Sequence, residues 1–192
     1  CFNYFQSFRE SGTVKDISHE KNMQESCLQL GFYLASWGMF RGSSTLLQKS
    51  LKIFETVINI IASTDAKTWD IDANRYTPDN MEKIIEFEKL IQSKWSVYKS
   101  SAPSATLVTK IMLGVFGNVP AFDTYFRNVF GDSTFNSKLL NKIGQIYKDN
   151  STIIEKYRIN TLDFLSGKPT KRKYSRAKVI DMIFLFKDAA EN

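Results

Sequence analysis

The chain is poor in the residues that usually announce chemistry. Its 192 residues hold one histidine, two cysteines and four prolines. A lone His19 excludes a zinc site built on two or more histidines, and a serine triad would have to run through that one ring. It stands beside Ser18 in "DISHEKN", where it reads as a solvated first-turn residue. Cys1 and Cys27 make no disulfide framework, which fits a reducing, cytoplasmic setting. The longest apolar runs, such as "VIDMIFLF" and "TKIMLGVFG", fall short of the roughly 20 residues of a bilayer span. No membrane partner and no signal peptide are expected. Asn-Gly and Asp-Gly pairs are missing and no alternation is sustained, so strands are not expected. Asp70 and Asp72 in "TWDIDANRYT" have a calcium-loop spacing without the loop's other positions, and read as a turn. No metal cluster and no nucleotide fingerprint is visible, so no cofactor is implied. The chain opens on Cys rather than Met, and "CFNYFQSF" is already aromatic, so an upstream segment is expected to be missing.

What the chain does hold is aromatic and basic: 15 Phe, 8 Tyr, 3 Trp and a net charge of +6. Hydrophobic residues at 43% and charged residues at 24% match a globular protein with a sizeable core, read as one domain over 1–192. Apolar residues recur at helical spacing nearly throughout. Met23, Cys27, Leu30, Leu34, Trp37 and Met39 form one stripe behind Ser18, the expected cap. Leu47, Leu51, Phe54, Val57, Ile58 and Ile61 form another behind Ser43 and Ser44. Thr77-Pro78-Asp79 opens a third helix, because a first-turn proline lacks only an N–H that would be unpaired anyway. Glu82, Glu86 and Glu88 with Lys83 and Lys89 read as its solvated face. "SSAPSA" would mark a seam between two helical lobes near 99–104. A helix follows over 105–116; Gly117 and Pro120 then break the chain before Asp123 and "TYFRNVF". "NSKLLNKIGQIYKD", "NSTIIEKYRINTLDFL" up to Gly167, and the segment after Ser175 are helical too. The pattern predicts an all-α domain of about seven to nine helices.

Three groups of residues could carry chemistry. In "SWGMFRGSSTLLQKS", Gly38 and Gly42 flank Arg41, with Ser43 and Ser44 at a helix mouth. Free backbone N–H groups there can hold an anion, and Arg41 adds a two-pronged donor. The same residues also make a plain helix–helix turn, with glycine reversing the chain and serine capping. The second group, 168–178, holds Lys168, Lys171, Arg172, Lys173, Arg176 and Lys178 around Tyr174. It reads as a phosphate-contacting loop or as a solvated connector. Arg176 and Lys178 oppose the dipole of the helix they begin, which weighs toward a partner. The third is Lys110 and Asp123 in "LVTKIMLGVFGNVPAFDTYFRNVFG". If the break folds the two helices together, an amine and a carboxylate face one cleft. A lysine of lowered pKa can attack a sugar carbon, and a carboxylate can stabilise oxocarbenium charge. The structural alternative makes Asp123 a helix cap and puts Lys110 on the wet face, with Leu107, Ile111 and Leu113 inside.

The segment "VPAFDTYFRNVFG" resembles the signature of helix-hairpin-helix DNA glycosylases, in which a lysine-bearing helix leads through Pro-Val-Asp into another helix. "LASWGMFRGSSTLLQKS" and "TKIMLGVFGNVPAFD" together resemble a bacterial family of helical proteins of unassigned function. The first resemblance implies that Lys110 is the catalytic or phosphate-contacting lysine, Asp123 the essential aspartate, and Pro120 the residue that shapes the turn. The chain departs from it in two ways. Thr106-Leu107-Val108-Thr109 replace the glycine-rich hairpin, and an extra residue separates Pro120 from Asp123. The implied activity is DNA binding with extrusion of a base into a cleft lined by Trp37, Phe122 and Tyr125. Arg41, Ser43, Ser44, Lys171, Arg172 and Lys173 would then hold phosphates. Two other readings stand beside it. One is a non-catalytic helical module with a protein partner, and the other a small-anion-binding protein with its pocket at Arg41, Ser43 and Ser44.

Overall fold

Helices form here where an apolar stripe meets a side chain able to cap it. A computed structural model describes residues 1–42, 44–95 and 102–191, with side chains of the last helix to Phe184. The chain begins with α1 (Phe2–Ser11), a 3-10 turn (Val14–Ser18) and α2 (Glu20–Ser36). Two 3-10 turns (Thr45–Gln48, Leu51–Phe54) lead into α3 (Glu55–Ala62), α4 (Ala66–Trp69) and a further 3-10 turn (Ala73–Arg75). Then come α5 (Pro78–Lys94), α6 (Ala105–Val115), α7 (Thr124–Phe130), α8 (Ser137–Asp149) and α9 (Ser151–Lys156). Strands β1 (Asn160–Leu162) and β2 (Pro169–Lys173) precede the last helix, α10 (Arg176–Glu191). The protein is all-α, with eight helices of seven or more residues among those described. No described helix is long and apolar enough to cross a membrane.

The strongest start signal holds: Thr77 Oγ1 accepts the Asn80 N–H at 3.3 Å ahead of Pro78. The helix expected over 105–116 begins at Ala105, where the structure adds Ser104 as cap, its Oγ accepting the Leu107 N–H at 3.2 Å. Other expectations shift. His19, not Ser18, caps α2, its Nδ1 accepting the Lys21 N–H. The stripe from Leu47 starts as 3-10 turns, capped in sequence by Ser44 and Ser50, and leaves Leu47 exposed. Glu88, expected on a solvated face, is buried. The helix expected up to Gly167 stops at Lys156, and the chain becomes an antiparallel hairpin, pairing Asn160 with Lys173 and Leu162 with Pro169. The hydroxyls of Thr161 and Thr170 meet across it at 2.7 Å, and the Tyr174 N–H donates to Ile159 O. Cross-strand partners far along the chain override local helical spacing here. Gly167, at φ 64°, closes the hairpin turn rather than a helix.

Helix α6 lies at the centre, packed against α1, α2 and α5. Leu107, Val108, Ile111, Met112, Leu113 and Val115 are all buried, so no side of it faces water. A Cβ on Gly114 would stand 2.3 Å from the Tyr33 ring, so only glycine lets α2 approach this closely. Buried residues from both sides of the expected seam, Phe54 and Ile84 before it and Ile111 and Ile180 after, join one core. Residues 99–101 of that seam lie outside the described residues.

The basic segment is sorted by its neighbours. Asp72 accepts the backbone N–H groups of Arg176 and Ala177, both at 2.9 Å, and so caps α10 from another part of the chain. The carboxylate of Asp70 pairs with Arg9. Arg176 pairs with Asp72 and Glu155, so its charge at a helix start is answered within the fold. Replacing Asp72 with Ala strands two N–H groups and an arginine; we expect urea denaturation to show a loss of about 2–3 kcal/mol, with Asp72→Asn losing less.

Candidate functional site

The turn between α6 and α7 is tethered from four other parts of the chain, while the buried side-chain amide of Asn118 finds no partner among the described residues. Gly117 takes a left-handed φ of 67°, and its carbonyl accepts the Ser175 hydroxyl. The Tyr76 hydroxyl donates to Asn118 O at 2.6 Å. The Ala121 N–H donates to Asp181 Oδ1 at 2.7 Å, and the Phe122 N–H donates to Thr109 Oγ1 at 2.8 Å. Phe122 O accepts the Thr106 hydroxyl at 2.7 Å. Thr106 and Thr109, which occupy the place of the hairpin glycines, are therefore the tethers that deliver the chain to Asp123. No glycine hairpin presents backbone amides here, because residues 105–109 already belong to α6.

Asp123 divides its two oxygens. Oδ1 accepts the Phe126 N–H at 3.1 Å and caps α7, while Oδ2 lies 3.8 Å from Lys110 Nζ. The aspartate is thus both a cap and a partner to the amine. Lys110 is only 6% exposed, which overturns its expected place on a wet face: α6 has no such face. Its amine stands 4.9 Å from the centre of the Trp37 ring, on the ring face. Burial holds its pKa below the usual lysine range, with nearby Arg41 pushing the same way; Asp123 and Asp181 oppose the shift.

Two charged groups on α10 complete the arrangement, and the sequence reading assigned neither to the site. Asp181 is buried, and burial pushes its pKa up to about 6 against the Ala121 N–H and Lys178. Lys178 is buried with its amine against Leu113 O at 3.4 Å and near the rings of Phe2, Tyr33 and Tyr174. Burial lowers its pKa to about 8, opposed by Asp181. Its expected role as a free cation for a partner is excluded. Spacing alone does not mark either: Lys178 and Asp181 share one turn with Val179 and Ile180, and only the packing of α10 shows that all four are buried.

Trp37, Asp123, Tyr125, Phe126, Asp181 and Phe184 line a crevice beside the pair. Its free volume is about 10 Å³, room for one water and far below the roughly 300–1,000 Å³ of a small-molecule site. Trp37 caps the C-terminus of α2 and Tyr125 is 49% exposed at the rim. Phe122, expected in an aromatic cleft, is instead buried and packs on Phe135. Its backbone tethers face α6, which turns the ring into the core.

The anion-binding candidates separate. Arg41 is exposed, with its guanidinium folded against Gly38, whose φ is 71°. Ser43 lies outside the described residues. Ser44 donates to Met39 O and accepts the Leu46 N–H, so its hydroxyl is engaged by the chain on both sides of it. Lys171 and Lys173 project from the exposed face of β2. Arg172, on the other face, forms a two-pronged pair with Glu10 at 2.7 and 2.6 Å and also donates to Asn3. Among the described residues, no three His, Cys, Asp or Glu side chains converge as a metal site would need.

Two outcomes follow from this geometry. Asp123→Ala removes a cap and orphans a buried amine, and should cost about 3 kcal/mol or more. Lys110→Met keeps the volume and the cap and should stay within about 1 kcal/mol of wild type. Equal losses in chemical denaturation would contradict this asymmetry. The second outcome concerns Asp181, which binds its proton more tightly folded (about 6) than unfolded (3.8). Its contribution is complete below about pH 4 and is lost as pH rises to about 6. Asp181→Asn keeps an acceptor for Ala121, so the stability of wild type relative to the variant should fall across that window. Comparison with protein-family models, curated proteins and solved structures finds no match, and the site stands on its own geometry.

Proposed function

We propose that the protein is a DNA-binding, glycosylase-like enzyme that uses Lys110 and Asp123 on a nucleotide extruded from the stack. One observation carries the reading: a buried amine 3.8 Å from the Asp123 oxygen that takes no part in capping α7, beside aromatic side chains. A lysine that burial disposes to lose its proton is a nucleophile. Its nitrogen bonds to the sugar C1′ as the C1′–N bond to the base breaks. The base leaves with the bonding pair and takes up a proton, and the amine releases its own proton toward Asp123 or water. The Asp123 carboxylate stabilises the oxocarbenium charge that develops between these events. The C1′–O4′ bond then breaks, O4′ leaving with the bonding pair and taking up a proton, as the nitrogen lone pair forms the iminium on Lys110.

Trp37 offers a face on which the base can stack, and Arg41 an exposed cation for a phosphate. A base requires the crevice to open, through Tyr125 at its rim or the 37–42 turn bounded by Gly38 and Gly42. In this reading the protein works in a bacterial cytoplasm. The second reading, a non-catalytic helical module, is favoured by the crevice's having room for only one water.

Borohydride trapping separates the two. Wild type incubated with abasic-site duplex should yield a covalent adduct that Lys110→Ala abolishes. Asp123→Asn, which keeps a cap-competent side chain, should slow adduct formation by about 100-fold or more. Absence both of an adduct and of base release from duplexes carrying deaminated, oxidised or alkylated bases would leave the module reading.

A further inference from the structure

The β1–β2 hairpin ends in the two most exposed large apolar side chains described, Phe164 at 97% and Leu165 at 92%. Apolar side chains of this size gain by leaving water, so two at one tip ask for a partner. The tip is well tied. The Asp163 N–H donates to Lys168 O and the Gly167 N–H to Asp163 O, both at 2.9 Å. Asp163 Oδ1 accepts the N–H and the hydroxyl of Ser166 at 2.8 and 2.7 Å. The root is anchored on α1: Asn3 donates to Leu162 O at 2.8 Å, and Arg172 clasps Glu10 and Asn3. The phenylalanine and leucine therefore project from a braced ribbon.

Cations run back from the tip along β2 to the root, where Lys173 pairs with Asn160. Lys168 is exposed at its base, and Lys171 and Lys173 alternate on the solvent face of β2. None of the three has a carboxylate partner among the described ion pairs. The one carboxylate in the turn, Asp163, is engaged by Ser166. A groove of about 630 Å³ runs between the hairpin and α1, with Phe164 and Lys171 among the residues lining it.

We propose that Phe164 and Leu165 form a wedge that enters between stacked bases of duplex DNA, with Lys168, Lys171 and Lys173 on the flanking phosphates. The inference rests on the nucleic-acid reading above and adds how the duplex is engaged. One or two apolar side chains suffice to unstack a base step, at a cost that phosphate contacts offset. A bilayer would meet the same two side chains and the same lysines, and the vesicle arm of the test below separates it from a duplex.

The test uses the full chain and a duplex carrying 2-aminopurine. Wild type should raise its fluorescence on binding, as unstacking does. Phe164→Ala/Leu165→Ala changes only exposed side chains, so circular dichroism and melting should match wild type. This variant should keep DNA affinity within a few-fold and lose the fluorescence rise. Lys171→Ala/Lys173→Ala should flatten the slope of log affinity against log salt by about 2. If wild type binds and the Phe164/Leu165 variant gives an unchanged rise, the wedge is wrong while the nucleic-acid reading survives. If wild type binds no duplex at low salt, both fall. Binding to phosphatidylserine vesicles that disappears in the same variant, without a 2-aminopurine signal in wild type, would assign the tip to a membrane and overturn the proposal.

Discussion

Lys110 is carried into the interior because α6 is covered on every side, and much of the site's arrangement answers that one buried charge. An ammonium group in a low-dielectric interior needs opposite charge close by. It arrives from two directions, Asp123 at the start of α7 and Asp181 on α10. Bringing Asp123 within reach requires the chain to reverse directly after α6, and Gly117 with its left-handed φ makes that reversal. Asp181 holds the same turn through the Ala121 N–H, so one carboxylate acts at once on the backbone and on the electrostatics.

A second consequence is the division of the cations into two kinds. Arg172, Arg176 and Lys178 are structural: they are held by Glu10, by Asp72 and Glu155, and by a carbonyl and aromatic rings. Lys168, Lys171 and Lys173 are left facing water. A run of basic residues that looks uniform along the chain is thus two populations, and only the second is available to a polyanion. The same hairpin that exposes those lysines also exposes Phe164 and Leu165, so charge and apolar surface coincide at one tip.

The crevice beside Lys110 and Asp123 and the hairpin tip differ in how they meet a ligand. The crevice is closed around roughly one water, with its charges already paired. The tip is open, braced and unpaired. On the proposed nucleic-acid reading the two divide the work, the tip engaging the duplex and the crevice opening only to a nucleotide that has left the stack.

Much of the fold was legible in the chain because its signals are local. The helix starts at Thr77, Ser104 and Asn136 need only a capping side chain and the apolar stripe behind it. Asp123 as a cap, and the break at Gly117 and Pro120, were readable for the same reason. The hairpin was not, since Thr161 and Thr170 meet only when two segments pair. Nor was the burial of Lys110, because whether a lysine faces water depends on how many helices surround its own. Asp181 and Lys178 sit in an apolar run whose polar positions look incidental until α10 packs beside α7. The sequence by itself determined an all-α chain with its caps and breaks, since hydrogen bonds within a turn or two decide those. Only the tertiary structure decided which charges are buried, which are paired and which remain free, because that depends on neighbours far apart in the chain and on the water they exclude.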